Sequence, residues 1–112
     1  MRPVNTRSVA PAYADWMPSF RLTLIIGALR PGAAPDSVLP HLAAAAAQLT
    51  TVEATDLAVV AGSPRAIVRF TADDAAMALR VGDHVLAAAR TSVEPVSWQV
   101  TERIKARWYP VR

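Results

Sequence analysis

From Phe20 the apolar side chains alternate: Phe20, Leu22, Leu24 and Ile26 fall on one face of an extended segment, and Arg21, Thr23, Ile25 and Gly27 fall on the other. A period of two marks a strand with one face on a core. Past the turn signal Arg30-Pro31-Gly32 the period changes. Val38, Leu42, Ala45 and Leu49 stand at i, i+4, i+7 and i+11, the spacing of one helix face. Ser37 is the expected N-cap. It puts Pro40 at the third helical position, where the missing N–H interrupts no intrahelical bond. The alanines 43–47 make this helix slim enough to lie close to a sheet.

Two further strands follow, the first with poor alternation. Residues 50–61 (TTVEATDLAVVA) are rich in β-branched side chains and predict a second strand, closed by a turn at Gly62-Ser63-Pro64. Residues 65–71 (RAIVRFT) predict a third, with Ala66, Val68 and Phe70 on one face and Ile67, Arg69 and Thr71 on the other. Thr71-Ala72-Asp73-Asp74 has capping-box spacing and opens a helix to about Arg90, with the stripe Ala75, Leu79, Gly82, Leu86 and Ala89. After Pro95 one long strand is expected. Val96, Trp98, Val100, Ile104, Ala106 and Trp108 share one side, Ser97, Gln99, Thr101, Arg103, Lys105 and Arg107 the other, and Glu102 interrupts the apolar side.

The order β-α-β-β-α-β defines an α+β fold of the ferredoxin-like, split βαβ kind. Right-handed crossovers put both helices on one face of a four-stranded antiparallel sheet of order 4-1-3-2, leaving the other face open. Residues 20–112 form this single domain, as expected of a 112-residue chain. Residues 1–19 form an extended arm broken by Pro3, Pro11 and Pro18. Its Tyr13, Trp16 and Met17 either fold back on the domain or anchor it to another subunit.

Composition narrows the chemistry. No cysteine is present, which excludes disulfide scaffolds, thiol catalysis and thiolate-held metal clusters, and two histidines are too few for a histidine-rich metal site. No metal or cofactor is expected. Hydrophobic residues are 53% of the chain, but 23 are alanine, so the core is close-packed and small-featured. The net charge is +3, with eleven Arg and one Lys. Both ends are basic and residues 36–95 are acidic. The longest strongly apolar run, Leu22–Leu29, is too short for a membrane span, and the first 20 residues lack the continuous apolar core of an export signal, so a cytoplasmic protein is expected.

In the expected topology Arg21, Arg69 and Arg103 converge on the open face, with Lys105 and Arg107 extending the cluster and Ile25, Ile67 and Thr101 filling its middle. Such a face is either merely solvated or covered by a second subunit, by the arm, or by an anionic partner gripped by guanidinium groups. His41 and His84 read as surface and ordinary helix residues, and Asp73 and Asp74 as charges complementing a helix N-terminus. Asp56 and Glu102 each interrupt an inward-facing row, unless a bulge turns them out. Trp98 and Trp108 fall on the apolar side as core and core edge, with Trp108-Tyr109 also placed to serve an interface.

The stretches LTLIIGAL (22–29) and RAIVRF (65–70) fall where the RNA-recognition motif domain has its signature strands, and residues 20–108 resemble that domain in topology. It stacks bases on exposed aromatics; the matching positions here hold Ile25, Arg65 and Ile67. The order of elements is also similar to that of dimeric α+β-barrel proteins, some of which are cofactor-free enzymes. The expected function is a non-catalytic protein–protein interaction or assembly module. It self-associates as a homo-oligomer or docks on a larger assembly through the open face, the arm, or an edge strand, strand 2 and the long final strand being the two edges open to extension. The alternatives are nucleic-acid binding by the basic face, and a small enzyme using Asp56, Glu102 or His84.

Overall fold

The best alternation in the sequence becomes the centre of the sheet. In the computed structural model, which describes residues 17–111, strand β1 is Ser19–Leu29. A single 3-10 turn, Pro35–Ser37, leads into helix α1, Val38–Ala47, and then come strand β2, Val52–Val60, and strand β3, Ser63–Thr71. Helix α2 is Ala75–Ala89, strand β4 is Val93–Ile104 and strand β5 is Arg107–Pro110. The result is an α+β structure with two helices and one five-stranded sheet of order β2-β3-β1-β4-β5, every neighbouring pair antiparallel. Of the arm, Tyr13 and Trp16 lie outside the described residues. Met17 is half-buried, and the Pro18 carbonyl accepts from Ala72 N–H at 3.2 Å.

Four strands stand in the expected order, and the fifth corrects the expectation of one long final strand. The chain reverses at Lys105 and Ala106, whose φ values of 49° and 69° are the pair of positive angles a type I′ hairpin turn requires. Ala61 and Gly62, with φ of 51° and 79°, turn the β2–β3 hairpin in the same way, so Ser63 and Pro64 belong to β3 and not to the turn.

The inward rows of the sheet read as expected. Phe20, Leu22 and Leu24 of β1 pair with Phe70, Val68 and Ala66 of β3, and all six are buried. Against them pack Val38, Leu42, Ala45 and Ala46 of α1 and Ala78, Val81, Val85, Leu86 and Ala89 of α2. Phe20 and Phe70 stack with ring centroids 6.1 Å apart. Each of these larger side chains contributes about 1.5–3 kcal/mol by leaving water. The α2 stripe is rotated from the expected one: Val81 and Val85 are central, while Leu79 packs at the margin. Gly82 lets α2 close on β4, where an added Cβ would stand 3.0 Å from Val100 Cγ2.

The helix starts differ from expectation in their chemistry. Asp74 caps α2, its carboxylate accepting from Met77 N–H at 2.8 Å, while Thr71 remains in β3 and is buried. Ser37 occupies the N-cap position of α1, but its hydroxyl donates back to the Ala34 carbonyl at 2.8 Å. No helix among the described residues is long and apolar enough to cross a membrane.

Candidate functional site

The face of the sheet away from the helices is assembled by register. Arg21 of β1 stands opposite Arg69 of β3 on one side and Thr101 of β4 on the other. Thr23 lies between Ile67 and Gln99, and Ile25 between Arg65 and Ser97. Arg103 follows Thr101 by one alternation, so the expected set Arg21, Ile25, Ile67, Arg69, Thr101 and Arg103 shares this face. Arg65 joins it, which parity along 65–71 already implied. Lys105 does not; it forms the turn. Arg107 does not either, because it pairs with Ile104 on the helix side.

The same hairpin supplies the residue that strand parity misplaces. In a two-residue hairpin, positions i and i+3 face each other, so Ile104 and Arg107 share a face although one is even and the other odd. Trp108 therefore pairs with Arg103 and lies over the open face instead of at the core edge. The Arg21 guanidinium carbon sits 4.1 Å from the Trp108 ring centroid, and that of Arg69 sits 5.7 Å away. Two like charges directly opposite on neighbouring strands repel. Here the indole face attracts both, and Glu53 neutralises one. Arg69 Nε donates to Glu53 Oε1 at 3.2 Å, and the same oxygen accepts from Ser19 Oγ at 2.9 Å.

A bulge between Val52 and Ala54 brings Glu53 to this position. It also shifts the register of β2, so Asp56 stands opposite Ile67 on the open face, its carboxylate accepting from Leu57 N–H at 2.8 Å. Thr55, Leu57 and Val59 take the helix side. Glu102 stays on the helix side, opposite Phe20 and Tyr109, and is only partly covered. His84 is on α2, where its Nε2 donates to Gln48 Oε1 at 2.7 Å. Asp56, Glu102 and His84 thus occupy three separate surfaces, and the fold does not bring them together. Trp98 also departs from expectation. It is on the helix side but 47% exposed, bordering a groove with Leu79, Leu86 and Val111, because α2 does not reach across β4.

The open face carries four guanidinium groups, from Arg21, Arg65, Arg69 and Arg103, against Glu53 and Asp56. Among the described residues, Arg69 alone of the four lies within 4.0 Å of a carboxylate oxygen. Arg65 Nε is shut off from solvent and has no hydrogen-bond partner among the described residues. Arg21, Arg65, Ile25, Ile67, Thr101 and Trp108 line a shallow depression of about 470 Å³. Fixed cations with open donor positions, apolar Ile side chains and a ring in one concavity are suited to holding anionic groups bidentately. No protein-family model matches this chain, and no curated protein matches it significantly in sequence.

Proposed function

We propose that this chain is a non-catalytic binding module, a ferredoxin-like split βαβ domain with a fifth strand added, whose open sheet face docks an acidic segment of another protein. One observation carries the reading: among the described residues, Arg21, Arg65 and Arg103 stand on one face with no carboxylate within ion-pair distance, beside the indole that Arg21 covers. A guanidinium stacked on a ring keeps its edge N–H groups free for a carboxylate while its plane stays fixed, so less freedom is lost on pairing. Ile25 and Ile67 give the partner's apolar side chains a place between the charges. The arm residues Tyr13, Trp16 and Met17 flank this proposal as further anchors. Pairing of two open faces with each other is disfavoured, since it sets guanidinium against guanidinium.

Nucleic acid is the second reading, favoured by Trp108, because bases stack on rings and on guanidinium planes. The occupied ring face ranks it below the acidic protein. Fluorescence anisotropy with a labelled peptide of alternating Glu and Leu, and in parallel with labelled oligothymidylate, separates the two. The peptide is expected to bind, and Arg21→Gln to weaken it by about tenfold or more, as loss of a charge-assisted hydrogen bond implies. Binding of the oligonucleotide alone, with steep salt dependence, would replace the first reading by the second. Equal binding by wild type and Arg21→Gln would remove the open face from both.

A further inference from the structure

We infer that the edge strand β2 pairs with β2 of a second copy of this chain, in antiparallel register about a two-fold axis beside Ala58, to form a dimer with one continuous sheet. This inference is independent of what occupies the open face. Among the described residues β2 is bonded to β3 on one side only, so its outer side presents a row of backbone donors and acceptors nine residues long, in which Leu57 N–H is held by the Asp56 carboxylate and must be released to pair. Proteins blunt such edges with Lys, Pro, a bulge or a covering element. Val52–Val60 contains no Lys, Arg or Pro, its one bulge lies at the Val52 end, and every residue but Val52 and Ala58 is exposed. The opposite edge of the sheet is protected. β5 is four residues long and ends at Pro110, which has no N–H to offer.

A second copy is the occupant because the pattern of β2 is self-complementary. With Ala58 on the axis, Leu57 of one copy faces Val59 of the other, and the reverse. These two side chains are 54% and 70% exposed, on the same side of the sheet. Asp56 faces Val60, itself 45% exposed. The two Asp56 carboxylates are then offset by four residues, roughly 13 Å at strand rise, beyond the screening length of about 8 Å at physiological salt. Isologous pairing closes at two copies, whereas β2-to-β5 pairing would run on indefinitely through an edge too short to hold it. Because the two-fold axis of an antiparallel strand pair is perpendicular to the sheet, both open faces end on the same side. The four guanidinium groups of each copy then form one longer surface.

Sedimentation velocity on the full chain tests the dimer, with circular dichroism confirming that each variant is folded. Wild type is expected to dimerise with concentration, and Val59→Lys, at an exposed site outside the basic face, to weaken dimerisation by about tenfold or more. Because the chain has no native cysteine, Ala58→Cys reports geometry directly. Opposed residues of an antiparallel pair lie within disulfide range, so mild oxidation is expected to link Ala58→Cys dimers and to leave Arg107→Cys, on the other edge, unlinked. A monomer up to millimolar concentration overturns the inference. So does a dimer that Val59→Lys leaves intact, or equal cross-linking of the two cysteine variants.

Discussion

Trp108 shows how much one side chain on this sheet decides. Its ring lies under two guanidinium groups that the β1–β3 register forces to face each other. Each cation–π contact at a partly exposed site contributes about 0.5–1 kcal/mol. Trp108→Leu, which keeps an apolar residue there, is therefore expected to lower unfolding free energy by about 1–2 kcal/mol in urea titration. A double-mutant cycle with Arg21→Gln should show coupling, because removing one of the facing charges relieves the repulsion that the ring no longer screens. Arg21, Arg69 and Arg103 were legible in the sequence as one set because strand parity places them together. Trp108 was not, since its parity is inverted by a reversal carrying neither Gly nor Asn.

That reversal belongs to the scale of the element. Lys105 and Ala106 both hold positive φ, a conformation that costs a non-glycine residue about 1–2 kcal/mol. Asn-Gly is the sequence such a turn prefers. Replacing Lys105→Asn and Ala106→Gly together is expected to stabilise the protein by about 1 kcal/mol, seen as a higher urea midpoint with an unchanged m-value. The strain also explains why the fifth strand was hidden: a turn built from ordinary residues leaves no punctuation, and the run from Val96 to Trp108 keeps alternating through it. Residues 50–61 posed the converse difficulty. Their weak alternation comes from the bulge at Glu53, which shifts Asp56 to the open face and gives Arg69 its carboxylate.

At the scale of the whole molecule, the sheet is wider than two helices can cover. The core sits where α1 and α2 meet the middle of the sheet, with Phe20 and Phe70 at its end. Phe70→Ala is expected to cost about 3–5 kcal/mol, a large fraction of the roughly 5–15 kcal/mol that holds a domain folded, and thermal unfolding monitored by circular dichroism should show the transition lowered or lost. The flanks are left partly bare. Trp98 on β4, and Leu57 and Val59 on β2, point to the helix side yet remain exposed. Amphipathic pattern alone assigns Trp98 to the core, because a periodicity records which way a side chain points and not how far the neighbouring layer extends; Leu57 and Val59 it assigns to the open face, because the bulge that reverses their parity leaves no trace in it.

The succession of apolar periods by itself determined the element types, the two crossovers, the inward rows of β1 and β3 and the gathering of Arg21, Arg69 and Arg103. These depend on local spacing and chirality, both written along the chain. Only the tertiary structure decided that the last strand folds back, that Trp108 and Asp56 face outward, that Asp56, Glu102 and His84 stay apart, and that the edge opposite β2 is a short strand ending in proline. Those outcomes depend on turn strain, a one-residue bulge and the reach of the helices, which arise between distant segments and leave no periodic trace in any one of them.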